Sequence, residues 1–226
     1  MRRVILAILA VCLVYAGVDV FWPLHRDLRQ FDPVALGDLE TNMWQSYYGR
    51  QRLALFSGLA EMLRTQYQFP LLRSYLGAYQ GASAAFTFKD GKQRSDYEKA
   101  LPALQTYFAL IRNTGNIDFD APRAAKLELE WWIVHRERAN YPPGALGRAC
   151  AEAAAAVYQV PVDSTLTHGQ LRAQAMLIRD ARAEAGGLTE ADWANIASLL
   201  HQSYQALRRA VADTPIILVP TRPLPG

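Results

Sequence analysis

Cysteine is almost missing from this chain: only Cys12 and Cys150 occur among 226 residues. Cys12 lies in an apolar N-terminal segment and Cys150 in an alanine-rich stretch, so a stabilising disulfide framework is excluded. Neither belongs to a Cys-x-x-Cys pair, which removes the ligands of a zinc ribbon and of a c-type haem attachment. Runs of like charge are missing too. The 24 Lys and Arg residues face 21 Asp and Glu, for a formal net charge of +3, and the two signs interleave along the chain. A mixed, solvated surface follows, with no electrostatic footprint for nucleic acid.

Motifs of known chemistry are equally scarce. There is no Gly-x-Ser-x-Gly elbow, no Ser-x-x-Lys pair and no Gly-rich phosphate loop, so no nucleophile or phosphate cradle is legible. His-Glu-x-x-His is absent, and so is the Glu-x-x-His of carboxylate di-iron bundles. The four histidines are scattered. No metal site and no cofactor is expected. Paired alternating runs around a tight turn do not occur, which argues against β-hairpins. Helix starts near 70 and 95 do not recur at the roughly 34-residue period of a helical repeat. The chain is nevertheless 51% apolar and 20% charged, which is the composition of a folded protein and not of a disordered one.

What is present begins with Met1-Arg2-Arg3 and an unbroken apolar run from Val4 to Val18. Asp19 interrupts the run, and Val20-Phe21-Trp22-Pro23-Leu24 extends it. Basic residues before an apolar run are the grammar of export. Counted through Leu24 the segment is long enough to span a bilayer, with Asp19 near one end in reach of water and Trp22 at the interface. Cleavage after Ala16 is the rival fate. The reading taken is a retained anchor over residues 1–24, crossing the lipid bilayer through residues 4–24. Arg2 and Arg3 place the N-terminus in the cytoplasm, although Arg26 and Arg29 lie just beyond the other end. The protein is therefore expected in the cell membrane as a single-pass chain, with its soluble domain on the exported, periplasmic side.

Residues 25–213 read as an all-α domain. Asp32-Pro33 is an N-cap followed by a first-turn proline, and the apolar spacing predicts one long helix to about Gln66, bent at Gly49 or Gly58. Phe69-Pro70 opens the next, on which Gly77, Gly81 and Ala85 stand four apart and invite close packing. Ser95 and Glu98 have the spacing of a capping box, and Pro102 either kinks the following helix or marks its start. Asp120 caps a helix carrying Trp131 and Trp132. An alanine-rich helix to about Tyr158, another from Thr167 to Glu184, and a last one capped by Thr189 and Asp192 complete the set. The expectation is a compact antiparallel bundle of about seven helices behind the membrane helix. Residues 214–226 hold four prolines and read as an extended C-terminal tail.

The densest chemistry lies in Leu127 to Glu137. Glu128 and His135, seven residues apart, share a helix face with Trp131 and Trp132 between them, and a carboxylate beside an imidazole in aromatic surroundings suits acid–base or ligand-binding work. Glu40 and Trp44, one turn apart on the first soluble helix, can face the same region, and Arg179-Asp180 can pair with it. These residues read equally as core aromatics and buried ion pairs that fix helix register. Two functional expectations result. One is a membrane-anchored helical interaction module, an accessory or assembly subunit of a cell-envelope complex, which binds an envelope protein partner through Ile216, Ile217, Leu218 and Val219. The other is an exported enzyme or small-ligand or metal-binding protein using a polar pocket around Glu128 and His135. With no catalytic motif, the chain reads as a binder more than as an enzyme.

Overall fold

In the computed structural model, which describes residues 1–212, the soluble body begins at its first strong helix signal. Helix α2 (Pro33–Tyr48) is capped by Asp32, whose Oδ1 accepts from the amides of Val34 at 2.8 Å and Ala35 at 3.1 Å. The single helix expected to reach Gln66 is instead two. Arg50 takes a left-handed conformation (φ 56°), the Gln51 amide donates back to the Ser46 carbonyl and the Arg50 amide to Tyr47. That pair of bonds closes a Schellman turn. Gly49, one residue before the left-handed position, is not the residue that turns, so the stop reads as a bend in the sequence. Helix α3 (Arg52–Thr65) then packs back along α2.

Helix α4 (Leu71–Asp90) follows Pro70. A Cβ on Gly77 would stand 2.7 Å from Leu63 Cδ1, so the small-residue stripe serves close packing of α3 on α4. The one-turn helix α5 (Arg94–Tyr97) corrects the capping-box expectation: no side chain caps it, and Glu98 pairs with Arg94 instead. Helix α6 (Leu101–Thr114) has Pro102 in its first turn, so the proline marks a start and not a kink. Helix α7 (Ala121–Arg136) is capped by Asp120, which accepts from the Arg123 amide at 3.0 Å.

Helix α8 (Ala145–Tyr158) and helix α9 (Val162–Glu184) touch almost backbone to backbone. A Cβ on Gly169 would lie 2.1 Å from the Gly147 carbonyl oxygen. Helix α9 begins at Val162, directly after Pro161 and five residues before the expected Thr167. Thr189 and Asp192 exchange hydrogen bonds at the head of helix α10 (Glu190–Ala212). Among the described residues the soluble body thus has eight helices of 14 residues or more instead of seven. The added one comes from the break at Arg50. Leu36, Leu63, Leu104, Ile133 and Leu200 form its dry interior. The proline-rich tail, with Ile216, Ile217, Leu218 and Val219, lies outside the described residues.

Helix α1 (Arg2–Phe21) has a mean hydropathy of 2.6 and is the one described helix long and apolar enough to cross a membrane. An export signal satisfies the same test. Its first turns are exposed among the described residues, but its last turn is docked on the bundle. Asp19, expected to face water, is 7% exposed: its Oδ1 accepts from the backbone amide of Arg73 at 2.9 Å. Arg73 is the third residue of α4, whose own N-cap, Pro70, offers no side-chain acceptor. The acid of α1 therefore caps α4 from outside. Beyond it, Leu24 and Arg26 donate to the carbonyls of Asn113 and Thr114, and Leu28 and Phe31 enter the core.

Candidate ligand-binding cavity

Three helices turn polar and aromatic side chains into one space inside the bundle. Helix α2 supplies Glu40 and Trp44, α7 supplies Glu128, Trp131, Trp132 and His135, and α9 supplies Arg172, Met176, Arg179 and Asp180. All six residues singled out from sequence line one cavity of about 350 Å³. Most of its remaining wall is apolar or aromatic, with Leu55 and Leu59 from α3, Ala85 and Phe88 from α4, and Tyr107 from α6. The exposed members of the lining are Arg136 and Arg138, so the mouth lies at the ends of α2, α4 and α7. Residues 73 to 88 of α4 separate this end from the docked turn of α1 by about 22 Å.

The floor is a saturated ion pair. Arg172 Nη1 donates to Glu40 Oε2 at 2.8 Å while its second terminal nitrogen meets Oε1. The Tyr204 hydroxyl donates to the same carboxylate at 2.5 Å and Trp44 Nε1 at 3.1 Å. Burial opposes the Arg172 charge, but Glu40 and the surrounding acceptors outweigh it, and the guanidinium is held above its ordinary value. Arg172 also lies 5.2 Å from the Trp131 ring centroid.

Glu128 stands beside this pair with far fewer partners. Its Oε1 accepts from Trp132 Nε1 at 3.1 Å. Among the described residues its Oε2 accepts no hydrogen bond of ordinary geometry, the Trp131 indole stands close by, and Glu128 lines the cavity. Removal from water pushes its carboxyl above the ordinary 4.5, Arg172 and the two indoles pull it back, and Glu40 adds to the push.

Glu128 and His135 are not a pair. Two helical turns place them about 10 Å apart along the axis, and His135 Nε2 instead meets Asp180 Oδ2 at 3.0 Å. Arg138 and Arg179 each reach Asp180 at 3.0 Å. Burial would raise the Asp180 carboxyl, but the His135 bond and the two arginines bring it below its usual range. Arg179 covers the Tyr48 ring at 3.2 Å, and Arg136 covers Phe88 at 4.6 Å. The mouth is thus cationic and built on aromatic faces. The other described histidines stay out of the cavity. His168 is buried against Ser203, with its value pushed down to about 3 by burial, and His201 meets Asp38. Cys150, buried, has its thiol pushed up to about 12 and is a core residue.

Sequence reasoning missed Arg172, Tyr107 and Tyr204. Each sits in a stretch whose spacing signals only an ordinary amphipathic helix, and the contact of Arg172 with Glu40 spans 132 residues. Among the described residues no three His, Cys, Asp or Glu side chains gather as metal ligands. Comparison with family models, with curated proteins and with solved structures finds no match.

The raised Glu128 carboxyl has a consequence for stability. The folded state binds this proton more tightly than the unfolded chain. The resulting stability is full below pH 4.5 and is lost as pH rises through the raised folded value. Glu128→Gln cannot titrate and keeps an acceptor for Trp132. In denaturant titrations at acidic and neutral pH, the variant is expected to gain on the parent as pH rises. Parallel pH profiles would contradict this assignment.

Proposed function

We propose that this chain is a membrane-anchored helical protein that binds a small organic molecule in the cavity between α2, α7 and α9. The observation that carries the reading is the roomy, aromatic-walled cavity with an incompletely partnered carboxylate inside it. Protein interiors are normally packed without such space, and concave apolar sites holding a few convergent polar groups are the usual form of a ligand site. The anchor is supported by the length and hydropathy of α1 and by the socket that fixes its last turn to the bundle. The mouth then opens away from the bilayer, on the exported side. The rival reading as a partner-binding subunit rests on Ile216 to Val219, outside the described residues.

Phenethyl alcohol, a neutral aromatic probe, tests the cavity. Titrated into the full chain in lipid nanodiscs, it is expected to change tryptophan emission saturably, because Trp44, Trp131 and Trp132 line the space. Ala85→Phe, which fills the cavity from α4, should remove the saturable part. No saturable change, or one indifferent to Ala85→Phe, overturns the cavity reading. Intact mass of the same protein drawn from native membranes is expected to include residues 1–24; a mature chain beginning at Gly17 overturns the anchor.

A further inference from the structure

We propose that the cavity takes an organic ammonium ion with an apolar or aromatic body, its cationic nitrogen held at Glu128 Oε2. The inference rests on the cavity-binding reading and adds to it the charge of the ligand. It follows from an inventory of the charged groups around Glu128. Glu40 on α2 is saturated: two guanidinium nitrogens, one indole and one phenol already point at it. Arg172 on α9 has its single charge matched by Glu40. The other groups facing Glu128 are neutral, namely Tyr107 on α6, Tyr67 after α3, Cys150 on α8 and the two indoles of α7. With Glu128 ionised, the inner end of the cavity therefore holds one negative charge without a matching cation, whereas Arg136, Arg138 and Arg179 stand at the mouth with Asp180.

A carboxylate drawn largely out of water without a counter-charge is costly, and a ligand that supplies the cation recovers part of that cost. The walls agree with the charge. Trp131, Trp132, Trp44 and Tyr107 line the same space, and aromatic rings attract a desolvated ammonium. A hydrated inorganic cation would have to exchange its water for one open carboxylate, far fewer oxygen ligands than such ions take. An anionic ligand would meet Glu128 unscreened. An amine carried on an apolar body fits both the carboxylate and the Leu55, Leu59 and Ala85 wall.

The test compares phenethylamine with phenethyl alcohol, nearly the same shape with and without the charge, by calorimetry on the full chain in nanodiscs. The amine is expected to bind at least about tenfold tighter, the scale of one charge-assisted hydrogen bond. In Glu128→Gln the two probes should bind alike. Methylammonium, which lacks the apolar body, should not bind measurably. Alcohol bound as tightly as amine, or a preference for amine that survives Glu128→Gln, overturns the ammonium inference and leaves the cavity reading standing. If neither probe binds and Ala85→Phe changes nothing, both fall together.

Discussion

Arg172→Met is expected to destabilise the helical body by about 3–5 kcal/mol, the usual consequence of removing one partner from a buried ion pair. The side chain of Glu40 is 5% exposed and that of Arg172 16%, so the little water that can reach Glu40 does not replace the lost guanidinium. Tyr204 and Trp44 would still donate to Glu40, but two neutral donors do not balance a carboxylate removed from solvent. The loss also reaches Glu128, whose carboxyl Arg172 pulls down from a distance. Two acids would then share one poorly solvated site.

The size of the loss should depend on what is left behind. Glu40→Gln combined with Arg172→Met strands no ion, so the double variant is expected to recover most of the stability. Acidification should narrow the deficit of the single variant, since protonation neutralises the stranded carboxyls. Urea titration of parent, single and double variants at neutral and acidic pH measures all three quantities. A single variant as stable as the parent would mean that the pair is solvated, and the description of the cavity floor would be wrong.

The fold was legible wherever local chemistry decides the outcome. Asp32, Asp120 and Thr189 stand where caps must stand, and each makes the expected bonds. The breaks misread were those where a non-local or atypical conformation wins. Arg50, not a glycine, takes the left-handed turn after α2, and left-handed arginine is rare enough that composition gives no warning. Ser95 and Glu98 match a capping box in spacing, yet α5 is a single turn and Glu98 serves Arg94.

The cavity was half legible, for a physical reason. Helical periodicity says which side chains share a face, and so Glu128, Trp131, Trp132 and His135 could be grouped, as could Glu40 and Trp44. It does not say which faces oppose each other in the bundle, because antiparallel helices of similar length and stripe pack in several orders. The partners that give the site its charge, Arg172 and Tyr204, lie on α9 and α10, more than a hundred residues from Glu40 in sequence. Seven-residue spacing suggested that Glu128 and His135 act together. The helical rise separates them, and each finds its partner on other groups.

The same limit hid Arg73, whose replacement is the other large effect expected. Arg73→Met should cost on the order of 3 kcal/mol and free the last turn of α1 from the bundle. The reason begins in the sequence. Asp19 is followed four residues later by Pro23, which has no amide hydrogen, so the Asp19 carbonyl cannot complete its helical bond. Arg73, with no exposed surface, supplies the donor instead: Nε reaches the Asp19 carbonyl at 2.9 Å, Nη2 the Trp22 carbonyl at 2.6 Å and Nη1 the Thr114 hydroxyl at 3.1 Å. Methionine fills much of the volume and donates nothing, leaving the two carbonyls without protein partners. Lysine has one nitrogen and cannot serve three separated acceptors, so Arg73→Lys should rescue only in part. Limited trypsin digestion reads the outcome directly, because the connector carrying Arg26 and Arg29 is pinned to Asn113 and Thr114 in the parent. Cleavage there is expected to accelerate strongly in Arg73→Met and weakly in Asp19→Asn, which keeps an oxygen for the Arg73 amide. A parent and an Arg73→Met variant cut at the same rate, with equal melting temperatures, would show that α1 is tethered to the body by chain connectivity alone.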